Sequence, residues 1–166
     1  PKIDFKIKDA LKRKWQCATI QCDFALPKRF NLEYADSDGQ SKQPIMLHRV
    51  IFVSLERFVG ALTEHYAGAF PLWLSPVQVV IVPVNANLKE YVESLKNKFI
   101  AQSIRAAVED TTETLNKRIR QAEVEKTPYI LVVGDREAKQ NTLSVRKRGK
   151  GETGVIPVED FIKQVR

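Results

Sequence analysis

Charged and apolar residues alternate at the start of the chain, where Ile3, Phe5 and Ile7 each stand between polar neighbours. That period of two predicts a half-buried strand. Residues 15–24, WQCATIQCDF, carry enough β-branched and aromatic side chains to predict a second strand paired with the first. ADSDG at 35–39 reads as a turn between the segment 30–34 and a strand-like stretch at 45–47. The period then changes. Leu55, Phe58, Val59 and Leu62 recur at helical spacing, which predicts an amphipathic helix with one face on a core.

Residues 66–76, YAGAFPLWLSP, gather glycine, proline and aromatics, as a packed turn between two sections does. Beyond it the pattern alternates. VQVVIVPV at 77–84 is an apolar run of the kind found in strands covered on both faces. Leu88, Tyr91, Val92, Leu95 and Phe99 share one helical face, and 106–109 predicts a further strand. Leu115, Ile119 and Ala122 mark a second helix, and Tyr129–Val133 a second buried strand closed by Gly134 and Asp135. Residues 143–147 read as an edge strand, and Val158, Phe161, Ile162 and Val165 as a last helix. The expected fold is α/β, or α+β over the whole chain: an antiparallel remnant with one helix, then a mixed, mostly parallel sheet flanked by helices.

Composition narrows the classes. With 43% hydrophobic and 28% charged residues among 166, the chain is ordinary globular material. No apolar run approaches the roughly 18 residues of a membrane span, and the first residues do not read as a signal peptide. Cys17 and Cys22 lack metal or redox spacing and read as reduced cytosolic thiols, which favours a cytoplasmic location. The 27 basic residues against 20 acidic give a formal charge of +7. That balance suits a polyanionic partner, but equally a merely basic surface.

The candidate chemistry lies first in residues 44–58, PIMLHRVIFVSLERF. His48 ends an apolar run and Arg57 sits on the amphipathic segment after it. Taken alone, His48 is either a satisfied core histidine or a metal ligand. Arg57 is either a solvated helix arginine beside Glu56 or a planar cation free to stack on an aromatic base. Together with WQCATIQCDF, the stretch resembles the end of a class II aminoacyl-tRNA synthetase core, specifically that of the threonyl enzymes. The resemblance implies residues 1–72 as catalytic-domain sequence and 73–166 as an anticodon-binding domain. It implies an active site in which Arg57 stacks on the adenine of Mg-ATP, Gln16 and Thr19 contact the nucleotide and Ser54 lines its pocket. Gln21 would lie by the amino acid and Lys2 close to the reacting groups. It further implies zinc, with His48 as one of three ligands and the other two upstream.

On pattern alone, Thr19 and Gln21 point to one side of a strand, and Gln16 to the other unless a bulge intervenes. That face is equally readable as a solvated polar one. GDRE at 134–137 and SVRKRGK at 144–150 follow the last buried strand. A run such as RKRGK is commonly a solvated edge. The resemblance makes Glu137 and Arg146 base-reading groups for the anticodon of tRNA-Thr, with Lys147, Arg148, Lys117, Arg118 and Arg120 on phosphates. Thr112 stands where some relatives carry asparagine. The whole enzyme would be a threonine–tRNA ligase and a homodimer acting on ATP, threonine and tRNA. This chain lacks the family's first two motifs and is expected to be inactive alone. The alternative is a non-catalytic synthetase-like RNA-binding protein.

Overall fold

The computed structural model describes residues 1–109 and 112–166. They form two compact units, Pro1–His65 and Tyr66–Arg166.

In the first unit, β1 (Lys2–Lys8), β2 (Lys14–Asp23) and β5 (Met46–Val50) make an antiparallel sheet in the order β1-β2-β5. Asp9 closes the β1–β2 hairpin: its carboxylate accepts from the Arg13 backbone N–H (2.8 Å), Arg13 Nε (2.5 Å) and Trp15 Nε1 (2.8 Å). Desolvation pushes the Asp9 carboxyl upward, but the Trp15 and Arg13 donors outweigh it and hold the group below its ordinary range. Residues 24–45 hold a short helix, α1 (Ala25–Arg29), and a two-stranded ribbon of β3 (Tyr34–Ala35) and β4 (Ser41–Lys42). The ADSDG turn joins the ribbon strands, with Gly39 at φ +76° and Lys42 paired to both Asp36 and Asp38. Helix α2 (Leu55–Tyr66) follows, its Ser54 Oγ accepting the Arg57 backbone N–H at 3.3 Å as an N-cap does.

β1 is exposed along its whole length, where the alternation had predicted a half-buried strand. Pro27 is the only buried residue among those described in this unit. The alternation is nevertheless present: Ile3, Phe5 and Ile20 lie on one face of the sheet, and Lys2, Asp4 and Thr19 on the other.

The second unit is a five-stranded mixed sheet, β10-β9-β8-β6-β7. β6 (Val79–Pro83) runs parallel to both β7 (Ala106–Val108) and β8 (Tyr129–Val133). β9 (Thr142–Lys147) and β10 (Gly151–Pro157) add antiparallel strands on the β8 side. β6 is buried at every position because helices cover both faces. Val79 and Ile81 point to a core shared with α3 (Lys89–Ala101) and α6 (Val158–Val165). Val80 and Val82 point to α4 (Leu115–Val124) through Ala122 and Ile119. The near-continuous apolar run is thus two period-two sets read together.

One expectation is corrected. Residues 143–147 are not an edge, since β9 lies between β8 and β10, with Leu143 at 0% and Val145 at 2% exposure. Gly151, Gly154 and Pro157 hide the edge strand on this side, β10, which accommodates them with positive φ at both glycines and a register shift between Glu152 and Gly154.

Candidate functional site

Two sets of polar residues stand out, one in each unit. In the first, the sheet register brings the sequence candidates together. Lys2 pairs with Gln21, Asp4 with Thr19, and Gln21 with His48. Residues directly opposite share a face, so Lys2, Thr19, Gln21 and His48 line one side of the sheet. Gln16 joins them. A register shift between Phe5 and Lys6 leaves Cys17 without a partner in β1 and returns Gln16 to the Thr19 side. Its Nε2 donates to Asp4 Oδ1 at 2.8 Å.

Two carboxylates organise this face, and neither was singled out from sequence. Asp4 accepts from Gln16 and pairs with Lys2 Nζ at 3.2 Å. The neighbouring Thr19 hydroxyl, and after it Lys2, hold its carboxyl below the ordinary range against some desolvation. Thr19 Oγ1 is buried beside that carboxylate, and the geometry of a full hydrogen bond is not reached. Asp23 accepts His48 Nε2 at 3.0 Å on Oδ2, and the amides of Ala25 and Leu26 at 2.8 and 3.0 Å on Oδ1. The Leu26 amide first, then His48, lower its carboxyl pKa. The signal for both lay in the alternation: Asp23 follows Thr19 and Gln21 at steps of two.

Arg57 is exposed and lies with its guanidinium 5.0 Å from the Trp15 ring centroid, a cation–π contact. Glu56 is engaged elsewhere, accepting from Ser54 Oγ at 2.9 Å. Ser54 thus serves the helix start. For zinc the donor set is incomplete. His48 offers one imidazole, and among the described residues no group of three His, Cys, Asp or Glu side chains could hold a metal.

In the second unit the candidates divide. Glu137, in the first turn of α5 (Asp135–Gln140), reaches back so that Oε2 accepts the Gly134 N–H at 2.9 Å. A Cβ at Gly134 would lie 2.8 Å from that oxygen, closer than atoms tolerate. Gly134→Ala is therefore expected to expel the Glu137 carboxylate and cost about 0.5–2 kcal/mol in lost capping. A urea titration of the variant beside Glu137→Gln checks it, since the amide keeps the acceptor and most of the stability.

Arg146 pairs across the sheet with Ile130 near the start of β8, whereas Glu137 follows its end. The two therefore stand at opposite ends of the β8–β9 pair. Arg146 forms ion pairs with Glu123 (3.3 Å) and Glu152 (3.8 Å) and borders a cavity of about 220 Å³ with Glu123, Thr127, Ile130 and Arg148. Its Nε is buried and finds no acceptor among the described residues. Lys147 points to the other face, 5.4 Å from the Tyr129 ring centroid.

Arg148 and Arg118 are occupied internally. Arg148 donates to the carbonyls of Lys126 (2.5 Å), Ala69 (3.2 Å) and Phe70 (2.6 Å), tying the aromatic turn to the sheet. Arg118 is 5% exposed and donates to the carbonyls of Pro83 (2.7 Å) and Glu113 (3.0 Å). The resemblance puts both on phosphates; here their donors satisfy backbone carbonyls that would otherwise lack partners. Lys117 (ion-paired to Glu113 at 2.6 Å), Arg120 and Thr112 are exposed.

Comparison with known proteins fits this architecture. The profile of the family described as "Anticodon binding domain" matches residues 78–166, and that described as "tRNA synthetase class II core domain (G, H, P, S and T)" matches residues 1–66. A threonine–tRNA ligase of Desulforamulus reducens is 52% identical over 99% of this chain, and one of Thermus thermophilus is 50% identical over 98%. The chain spans about a quarter of their length, 26% and 25%. A crystal structure titled as the RNA binding domain of threonyl-tRNA synthetase from Cryptosporidium parvum superposes with a TM-score of 0.87 at 34% identity, covering 99% of this chain and 42% of that one. A Giardia lamblia prolyl-tRNA synthetase shares the fold, with a TM-score of 0.69 at 19% identity over 97% of this chain and 36% of its own. The chain therefore belongs, through residues 78–166, to the anticodon binding domain family, preceded by residues that match the class II tRNA synthetase core domain, and it is similar throughout to threonine–tRNA ligases.

Proposed function

We propose that this chain is part of a threonine–tRNA ligase, that residues 73–166 read the anticodon of tRNA-Thr, and that residues 1–72 form one wall of the site where ATP and threonine react. The whole enzyme joins the threonine carboxylate to the α-phosphate of Mg-ATP by in-line attack, expelling pyrophosphate, and a ribose hydroxyl of the tRNA then attacks the acyl carbon of the adenylate, taking the threonyl group and releasing AMP. Such chemistry needs no protein nucleophile, only positioning and charge stabilisation.

The polar face of the β1-β2-β5 sheet suits that task. Thr19 Oγ1 lies beside Asp4, and Gln16 is held by Asp4. Gln21 stands opposite His48, where the amino acid is expected in this reading, and Lys2 brings a positive charge to the same face. Arg57 already lies over one aromatic ring, Trp15, and is suited to stack on an adenine. Zinc belongs to the reading with His48 as one ligand, the other donors coming from outside the described residues. No step is routed through it. The full enzyme works as a homodimer in the cytoplasm.

The observation that carries the anticodon reading is Arg146: a guanidinium beside a cavity, with one buried N–H that no group among the described residues accepts. RNA sequence is read on unstacked bases, whose carbonyl and ring acceptors suit such a donor. Lys147 adds charge without base preference. The test is binding of tRNA-Thr transcripts with native or altered anticodon at near-physiological salt. Arg146→Ala is expected to weaken the native transcript by about 1–3 kcal/mol and to flatten the preference at one anticodon base. Equal, steeply salt-dependent binding to every transcript would leave only the basic surface at work and would refute the reading.

A further inference from the structure

His48 and Asp23 are not adjacent in sequence, and both sit on the polar face of the first unit, on neighbouring strands. His48 stands opposite Gln21, and Asp23 is two residues further along β2, so the pair is a diagonal neighbour across the sheet. The carboxylate cannot turn freely. Oδ1 accepts two consecutive amides at the start of α1, from Ala25 and Leu26, which leaves Oδ2 directed at the imidazole 3.0 Å away. The Asp23 side chain is 14% exposed, that of His48 39%.

An ionised carboxylate only accepts hydrogen bonds. The ring nitrogen facing it must therefore carry the proton. A neutral imidazole has one N–H, so the other nitrogen keeps a free lone pair. Among the described residues Nδ1 makes no hydrogen bond, and Nε2 makes the one to Asp23.

We propose that Asp23 is a positioning residue that holds His48 as the Nε2–H tautomer and leaves Nδ1 as the electron-pair donor of this face. The helix start is part of the device, because the α1 amides orient the carboxylate that orients the ring. A group lacking an electron pair is what Nδ1 recognises. In the function proposed above that group is the zinc ion, and the relevance of the tautomer to catalysis rests on that reading. The tautomer itself does not.

The test reads the ring directly, in the full chain without added metal. Long-range proton–nitrogen correlation spectra of ¹⁵N-histidine protein are recorded at a pH where the His48 ring is neutral by its own shifts. The signals are assigned against His48→Gln. The expected result is a protonated Nε2 and an unprotonated Nδ1. Asp23→Asn is expected to reverse the pattern. Its amide oxygen still accepts from Ala25 and Leu26, while its NH₂ donates to Nε2 and drives the proton to Nδ1. An Nδ1–H ring in the unsubstituted chain, or an even mixture, overturns the proposal whether or not the variant folds. If Asp23→Asn keeps the dispersed amide spectrum of the parent and its ring pattern is unchanged, that also overturns it. Zinc analysis of a longer protein carrying this chain reports separately on the metal, so the two ideas can fail independently.

Discussion

Phe161→Ala is expected to destabilise the second unit by about 3–5 kcal/mol, a large part of the roughly 5–15 kcal/mol that holds an ordinary domain folded. Phe161 is 0% exposed on α6, with ring centroids 5.7 Å from Phe99 of α3 and 5.4 Å from Tyr129 of β8, the latter edge to face. One side chain thus joins two helices to the central sheet. Truncation removes its transfer free energy and leaves a cavity that three separate elements would have to collapse to fill. The edge-to-face pair with Tyr129 adds specific geometry that a neighbour cannot restore. Tyr129 also lies beneath Lys147, so the loss reaches the basic surface as well as the core. Urea denaturation followed by circular dichroism, with Phe161→Leu as the milder comparison, measures the effect. A cost below 1 kcal/mol for the alanine variant would mean that α6 is not part of the cooperative core.

The apolar periodicity revealed most of the second unit because its elements bury complete faces. Val79–Pro83 and Tyr129–Val133 are strands covered on both sides, and Val158, Phe161, Ile162 and Val165 fall on one stripe of α6. β10 escaped notice for a physical reason: an edge strand tolerates glycines at positive φ and a proline, which elsewhere signal turns. α5 escaped because six residues, none of them buried, leave no periodic stripe. In the first unit the polar set was legible through alternation, except that the side taken by Gln16 depended on a register shift that no local pattern announces. Asp4 and Asp23 were passed over because a charged residue on a strand looks the same whether it faces solvent or organises a glutamine or a histidine. Charge alone says little about the duties of Arg118 and Arg148. A basic run near a sheet suggests phosphate, yet only the fold reveals which guanidinium groups are turned inward to backbone carbonyls.

Arg118 provides the sharpest contrast between those two duties. Its guanidinium joins the carbonyl at the end of β6 to that of Glu113, next to Thr112, from the first turn of α4. Pro83 is buried, so its carbonyl has no water to turn to if Arg118 is removed, whereas Glu113 is exposed and can be rehydrated. Arg118→Leu is therefore expected to cost about 1–3 kcal/mol of stability, the penalty for one stranded buried acceptor. Arg118→Lys should recover part of that, since an ammonium reaches one carbonyl but cannot fork to two. A phosphate contact contributes about one unit to the slope of log affinity against log salt, and losing it weakens all sequences alike. Under conditions where both proteins are folded, Arg118→Leu should leave that slope unchanged, while Lys147→Ala lowers it by about 1. Denaturation and a salt titration on the same two variants decide the matter: a lower slope with undiminished stability for Arg118→Leu would return this residue to the phosphate-binding surface.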